Sequence, residues 1–131
     1  VGNVVAVVYL PQLAQFGCSL HKLRIAFVVE QVLSNALKYT SAGSISIFLE
    51  TPKTLCIRDT GMGIAPEDLP RIFEKGYTGY HGRADKKASG IGLYLCRRIC
   101  NNLGHKISAK STPDKGTTIR VDLSQYKLNA E

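Results

Sequence analysis

Apolar residues recur at helical spacing in two stretches of the chain. The first runs from Leu20 to about Tyr39, and at about 100° per residue its apolar side chains fall on one side of a helix. That side carries Ile25, Val29, Val32, Leu33 and Ala36. The second, residues 89–104, closes on Gly104 and repeats an apolar residue at every fourth position: Ile91, Leu95, Ile99 and Leu103. Two amphipathic helices are therefore predicted, each with one buried stripe.

Alternation of apolar and polar residues predicts strands elsewhere in the chain. The pattern occurs in SISIFLE (44–50), TLCIRD (54–59), HKISAKS (105–111) and TTIRVDL (117–123). Residues 112–116 are predicted to form a hairpin before the last strand, which is expected to bury Ile119, Val121 and Leu123. The apolar run at residues 4–10 predicts a further strand, and residues 13–16 predict a short second one.

Two segments without long periodicity connect these elements. A loop after Asp59 leads to a predicted short helix, because Pro66, Glu67 and Asp68 are preferred in a first helical turn. Residues 77–88 combine glycines with basic residues and no periodicity, which predicts a loop. Together the elements predict an α+β fold, a two-layer sandwich with a mixed β-sheet and helices packed on one face. It is expected to be a single domain over residues 1–131.

Length and composition are consistent with one folded domain. The chain has 131 residues, of which 44% are hydrophobic and 21% charged, and this favours a folded core over disorder. No apolar run approaches the ~20 residues of a membrane helix. Because the chain has neither an initiator Met nor the basic start of a signal peptide, it is expected to be a domain excised from a longer protein.

Net charge limits the classes of binding partner, and the cysteine pattern bears on metal binding. A net charge of +7 favours phosphate-rich or acidic partners. Aromatic residues make up 8% and are not interleaved with basic ones, so nucleic-acid binding is the weaker interpretation. Without a CxxC pair, the cysteines are expected to be small buried residues in a reducing cytoplasm rather than metal ligands; they are Cys18, Cys56, Cys96 and Cys100.

Polar residues share one face of the first predicted helix. Gln31, Asn35 and Lys38 fall within a narrow wedge opposite the apolar side. An amide oxygen can coordinate a hard cation such as Mg²⁺, and a lysine ammonium can neutralise phosphate. An ordinary solvated helix face explains the same pattern equally well.

Three short glycine-containing segments stand at the ends of predicted elements. In DTGMG (59–63), an Asp at a strand end precedes glycines that can admit a flat ring, although a tight turn also explains them. SGIGL (89–93) opens the second helix, where backbone N–H groups and the helix dipole favour phosphate. GTT (116–118) opens the last strand and alone would be an ordinary hairpin glycine. The order of these pieces along the chain is more specific than any one of them.

The ordered set resembles the motifs of the catalytic, ATP-binding domain of bacterial sensor histidine kinases. EQVLSNALKYT (30–40) is similar to the N box of that family, and DTGMGI (59–64) to its first glycine box. IFEKGYTG (72–79) is similar to the F box, SGIGLYL (89–95) to the second glycine box, and GTT to the last. The residues of the N box and of FEKGYTGYHGR (73–83) are most similar to intramembrane-sensing kinases of Gram-positive bacteria. Those kinases are associated with envelope stress from bacitracin-like antimicrobial peptides. The implied architecture is the Bergerat ATP-binding fold.

The resemblance also implies roles for matching residues. Asn35 would bind Mg²⁺, with Gln31 as a second candidate ligand, and both Asn35 and Lys38 would act in catalysis at the phosphates. Asp59 would accept the amino group of adenine. The other implied contacts with ATP are Tyr39, Gly61, Gly63, Ile64, Lys75, Gly90, Gly92, Leu93 and Thr117. Residues 76–89 would form the ATP lid, where ordinary solvated charge is an equal explanation for its basic residues Arg83, Lys86 and Lys87.

The chain departs from the family pattern at several positions. The hydrolysing relatives place a general-base Glu where this chain has Gln31. Glu30 stands one residue earlier, turned about 140° from Asn35 on an ideal helix, which disfavours efficient hydrolysis. His21 lacks the acidic residue and the proline of the phosphoacceptor motif, so the acceptor His is expected outside this chain. Residues 1–20 match the family poorly.

The sequence therefore predicts the ATP-binding half of a protein-histidine kinase. It would bind Mg-ATP and transfer the γ-phosphoryl group to a His on a separate dimerisation domain of the same homodimeric protein, which then serves a response regulator. The alternatives are an ATP-driven conformational module of the gyrase-and-chaperone type and a degenerate nucleotide-binding regulator. The domain is expected in the cytoplasm, its parent in the bacterial cell membrane, and nucleic acid is not an expected partner.

Overall fold

Two α-helices and five strands make up the regular structure of the described residues. The computed structural model describes residues 4–8, 19–51, 53–77 and 90–124. The strands are β1 (Val4–Val8), β2 (Gly43–Thr51), β3 (Thr54–Asp59), β4 (Lys106–Thr112) and β5 (Gly116–Asp122). The helices are α1 (Ser19–Tyr39) and α2 (Gly92–Leu103), and a 3-10 turn covers Leu69–Arg71.

The strands form one mixed sheet in the order β1-β2-β3-β5-β4. β1 pairs with β2 in parallel, and the other neighbouring strands are antiparallel. Asp59 lies opposite Thr117, and Thr117 lies opposite Ser111. Because paired residues project to the same face of a sheet, these three side chains form one row across β3, β5 and β4. We call them the Asp59–Thr117–Ser111 row.

One hydrophobic core lies between the helices and one face of the sheet. α1 packs against α2 and β3, and α2 also packs against β4. The sheet contributes alternating buried residues to this core: Ile45, Ile47, Leu55, Ile57, Ile107, Ile119 and Val121. The predicted α+β two-layer fold with a mixed sheet is confirmed.

The buried stripe of α1 is rotated from the predicted one. Val29 and Leu33 are only half-buried, whereas the other predicted apolar residues are buried. Val28, which the predicted stripe left out, has 0% of its surface exposed. The helix packs against α2 as well as against the sheet, so its buried side faces between the two.

Cysteines occupy the centre of the buried stripe of α2. Cys96 and Cys100 are fully buried, while the predicted Ile99 is half-buried. Burial raises the pKa of both thiols to about 12, so they stay protonated and unreactive at neutral pH. The prediction of small buried cysteines is confirmed for these two and for Cys56, all free thiols. Cys18 lies outside the described residues.

The short helix predicted from Pro66 is present as a 3-10 helix that begins later, at Leu69. The chain instead makes a turn in which Ala65 O accepts N–H groups from Asp68 and Leu69, followed by the 3-10 turn. Pro70 explains the difference, because it has no N–H to donate to the carbonyl of Pro66 as an α-helix would require.

Several predictions fall on residues outside the described part. These are the short strand at residues 13–16 and the predicted lid except for Gly76 and Tyr77. Among the described residues, no helix combines the length and apolar character needed to cross a membrane.

Candidate functional site

Asp59 is held in a fixed orientation at the end of β3. Its Oδ1 accepts the backbone N–H of Gly61 at 2.9 Å and that of Thr117 at 3.2 Å. Burial raises the pKa of the Asp59 carboxyl, and these two N–H groups partly oppose the shift. A raised folded-state pKa means that stability falls as pH rises from the ordinary value of 3.8 through the raised one. Ionised Asp59 therefore contributes no stability at neutral pH and costs some.

The glycines after Asp59 lie tightly against the protein itself. A Cβ on Gly61 would stand 2.4 Å from Tyr39 O and 2.6 Å from Thr40 Oγ1. Gly63 has a φ of 74°, and a Cβ there would stand 2.2 Å from Thr112 O. Met62 N–H donates to Tyr39 O at 3.1 Å, which ties the loop to the end of α1. Packing thus explains both glycines, and their contact with a ligand stays a prediction.

Ser111 joins the loop to the β4–β5 hairpin. Its Oγ accepts the N–H of Ile64 at 2.7 Å and lies 2.9 Å from Gly116 O and 2.8 Å from Thr117 Oγ1. The sequence interpretation missed Ser111. Counting the predicted hairpin back from Thr117 would have found it, because the two residues pair across the turn.

The polar face of α1 meets the start of α2. Gln31 and Asn35 are half-buried and Lys38 is exposed, so the wedge flanks the buried stripe and the predicted opposite placement is wrong. Gln31 Oε1 lies 2.7 Å from the position of a Cβ on Gly92. The predicted candidate ligand is therefore at the first residue of α2, whereas Glu30 is exposed.

The segment before α2 is clasped by two glycines. Gly76 N–H donates to Gly90 O at 2.9 Å, and a Cβ on Gly90 would stand 2.5 Å from the carbonyl carbon of Gly76. We call this contact the Gly76–Gly90 clasp. Ile91 is the N-cap residue of α2, and its apolar side chain makes no capping hydrogen bond. The N-terminal end of the helix dipole there favours an anion.

The predicted site residues fall into two groups and several outliers. Asp59 and Thr117 are hydrogen-bonded through the backbone, and Gly61, Gly63 and Ile64 lie in the loop that follows Asp59. The second group lies around the start of α2 and comprises Gln31, Gly90, Gly92 and the half-buried Leu93. Lys75 is exposed and its Nζ lies 5.9 Å from the centroid of the Tyr94 ring. Arg83, Lys86 and Lys87 lie outside the described residues.

Thr40 carries a buried hydroxyl beside Gly61. Its residue is 2% exposed, and Oγ1 has no hydrogen-bond partner among the described residues. An unpaired buried hydroxyl costs ~1–3 kcal/mol, so Thr40→Val is expected to raise the free energy of unfolding by about 1 kcal/mol in urea denaturation. The exposed Thr112→Val is the control and should change it by less than about 0.5 kcal/mol. A clear loss of stability in Thr40→Val would show that the hydroxyl has a partner.

The chain was compared with known proteins by sequence. Residues 21–127 match the family described as histidine kinase-, DNA gyrase B-, and HSP90-like ATPase. The sensor protein kinase GraS of Staphylococcus aureus is 42% identical over 97 residues, which cover 72% of this chain. The matched part is 28% of that relative, so the chain spans less than a third of its length.

The fold was compared with solved structures. The mycobacterial sensor histidine kinase MprB has a TM-score of 0.68 at 21% identity, and the match covers 92% of this chain and 81% of that one. The full-length ShkA structure in complex with AMPPNP has a TM-score of 0.69 at 19% identity, covering 97% of this chain and 26% of that one. These likenesses confirm the predicted fold. With the sequence match over residues 21–127, the chain belongs to the family of histidine kinase-, DNA gyrase B- and HSP90-like ATPases.

Proposed function

We propose that this chain is the ATP-binding catalytic domain of a two-component sensor histidine kinase. It binds Mg-ATP and presents the γ-phosphoryl group to a His on a separate dimerisation domain. The carboxylate of Asp59, fixed by two backbone N–H groups in a partly buried site, is the observation that carries this proposal. The 42% identity to kinases named as sensor proteins favours phosphoryl transfer over the other activities of the family.

Asp59 suits the amino group of adenine. Its Oδ1 already accepts two N–H groups, and no described residue donates to Oδ2. Oδ2 therefore remains to accept from a ligand, and an ionised carboxylate can only accept. Adenine has an exocyclic amine with two N–H donors, whereas guanine has a keto oxygen at the matching position. The loop that follows Asp59 would border the base at Gly61 and Gly63.

The second group of residues suits a triphosphate with its cation. Asn35 and Gln31 lie one helical turn apart on α1, and their neutral amide oxygens are ligands that Mg²⁺ accepts. A bound Mg²⁺ would neutralise charge on the phosphates. The backbone N–H groups at the start of α2 would receive phosphate oxygens. Lys38, exposed at the last turn of α1, would add a positive charge.

The proposed chemistry needs little from this domain beyond positioning. Phosphoryl transfer depends mainly on orientation and on charge stabilisation of the phosphates. Glu30, the acidic residue next to Gln31, is exposed and is not placed to activate water beside Asn35. That favours transfer over hydrolysis, with a gyrase-and-chaperone type ATPase module and a degenerate regulator as the alternatives.

The partners follow from this assignment. The phosphoacceptor His would belong to a dimerisation domain of the same homodimeric protein, and a response regulator would take the phosphoryl group from that His. The parent would lie in the bacterial cell membrane with this domain in the cytoplasm. Similarity to GraS is consistent with the envelope-stress class of kinases.

A phosphorylation assay tests the proposed function. The chain is expected to bind Mg-ADP and, with radiolabelled ATP, to label a cognate helical domain with acid-labile, base-stable phosphate but not itself. His21→Ala is the control and should leave labelling of the helical domain unchanged. Label on this chain that disappears in His21→Ala would contradict the proposal, and steady ATP hydrolysis without transfer would favour the ATPase module.

A further inference from the structure

The hydroxyl of Ser111 has three hydrogen-bonding neighbours. Ile64 N lies at 2.7 Å, Gly116 O at 2.9 Å and Thr117 Oγ1 at 2.8 Å from its Oγ. A serine hydroxyl has one proton and two lone pairs, so it can donate once and accept twice. Three short contacts therefore use its whole capacity.

The chemistry of the neighbours decides where the protons lie. Ile64 N–H can only donate, so it takes one lone pair of Ser111. Gly116 O can only accept, so the Ser111 proton must point at it for that contact to be a hydrogen bond. If the proton pointed at Thr117 instead, two oxygen lone pairs would face each other 2.9 Å apart. Thr117 must therefore donate its own proton to the second lone pair of Ser111.

This arrangement determines what Thr117 can offer a ligand. With its proton directed to Ser111, the Thr117 hydroxyl has only lone pairs left. Asp59 lies beside it in the Asp59–Thr117–Ser111 row and, when ionised, also only accepts. The base end of the site therefore presents acceptors alone, and it suits a ligand or a bridging water that brings N–H or O–H donors.

We infer that Ser111 determines base specificity by fixing the direction of the Thr117 proton. Ser111 is a positioning residue: it acts through Thr117 rather than through its own contact with nucleotide. This inference rests on the proposed function and deepens it, because it assigns the preference for an exocyclic amine to the whole row and not to Asp59 alone. Without the Ser111 oxygen, the Thr117 hydroxyl could rotate and donate to a keto oxygen.

Comparing ADP with inosine diphosphate tests this inference. Inosine diphosphate has a keto oxygen where ADP has the amine and an N1–H where ADP has a ring-nitrogen lone pair, and it has the same sugar and phosphates. In Ser111→Ala, the ratio of ADP to inosine diphosphate affinity measured by calorimetry is expected to fall about three- to tenfold, the worth of one hydrogen bond. Ser111→Thr retains a hydroxyl and is expected to restore the ratio.

A matched variant separates specificity from structural damage. Ser108→Ala makes the same chemical change on β4 at an exposed residue of the opposite face, and should leave the ratio unchanged. If Ser111→Ala does not fold, the nearly isosteric Ser111→Cys, whose thiol is a weak hydrogen-bonding group, should lower the ratio in the same direction.

Two results would overturn the inference. Equal losses of affinity for both nucleotides in Ser111→Ala, with the ratio unchanged, would show that Ser111 only supports the structure. A ratio that stays low in Ser111→Thr would show that its hydroxyl is not what matters. A wild-type chain that binds neither nucleotide would contradict the proposed function as well, whereas an unchanged ratio in a chain that binds ADP contradicts only this inference.

Discussion

Asp59→Ala is expected to remove most of the preference of this chain for ADP over GDP. In the proposed site, the wild-type carboxylate would attract the adenine amine and repel the guanine keto oxygen in a partly buried environment. An unpaired buried polar group costs ~1–3 kcal/mol, so the wild-type chain should bind ADP at least about tenfold more tightly than GDP. Removing the carboxylate removes its attraction and its repulsion together, and the ratio should fall to what the Thr117 hydroxyl alone sustains.

Asp59→Asn makes the same test sharper. The amide oxygen would still accept the N–H groups of Gly61 and Thr117, which leaves the NH₂ group in the place of Oδ2. A donor would then face the ligand, so the preference should shift toward GDP. Calorimetric titration of both nucleotides into each variant measures the ratio. Asp122→Asn is the control, because its carboxylate accepts Ser124 N–H at the far end of β5.

Two results would contradict the role of Asp59 in base selection. If the wild-type chain binds ADP and GDP equally, or if Asp59→Ala keeps the preference, Asp59 does not read the base. A changed ratio in Asp122→Asn would point to an effect of charge in general rather than of the site.

Gly90→Ala is expected to lower the free energy of unfolding by about 3 kcal/mol, against about 1 kcal/mol for Gly76→Ala. Gly90 and Gly76 have φ values of 70° and 80°, so alanine is strained by ~1–2 kcal/mol at either position. The expected loss of stability differs because a Cβ has different space around it at the two positions. A Cβ on Gly76 would have no atom of the described residues within 4 Å, whereas one on Gly90 would stand 2.5 Å from the Gly76 backbone and force the clasp apart.

Urea denaturation and ADP titration check this pair of variants. Because Gly90 lies two residues before α2, opening the clasp should displace the start of the helix and weaken ADP binding at least about tenfold. Gly76→Ala should weaken it much less. Equal losses in both variants, in stability and in affinity, would show that backbone strain alone matters and that the Gly76–Gly90 clasp does not position the helix.

Sequence patterns located the secondary structure well where local chemistry decides it. The alternation of apolar and polar residues correctly predicted the strands that contain Ile45 and Ile119, which are both buried. Gly104 ends α2 with a φ of 77°, as its position after the last apolar residue predicts. The order of the motifs grouped Asp59 with Thr117, and in the structure the Thr117 backbone N–H donates to Asp59 Oδ1.

The remaining features depend on contacts between distant segments. Whether Gln31 faces solvent or Gly92 is set by how α1 packs on α2, which the periodicity of one helix cannot show. Ser111 gains its role only when hairpin pairing brings it to Thr117 and the loop brings Ile64. The late start of the short helix, at Leu69 instead of Pro66, has a local cause: Pro70 has no N–H to donate to the carbonyl of Pro66.

Because β3 pairs with β5, the site can form only after the chain has been synthesised as far as β5. Asp59 and Thr117 are 58 positions apart in sequence, and β5 lies between β3 and β4 in the sheet. A nascent or truncated chain that ends before β5 contains Asp59 but lacks Thr117, so the proposed base site would be incomplete. Nucleotide that binds only the complete fold would stabilise that fold by mass action and would not bind partial structures. In the proposed site, nucleotide would therefore stabilise only the completely folded domain.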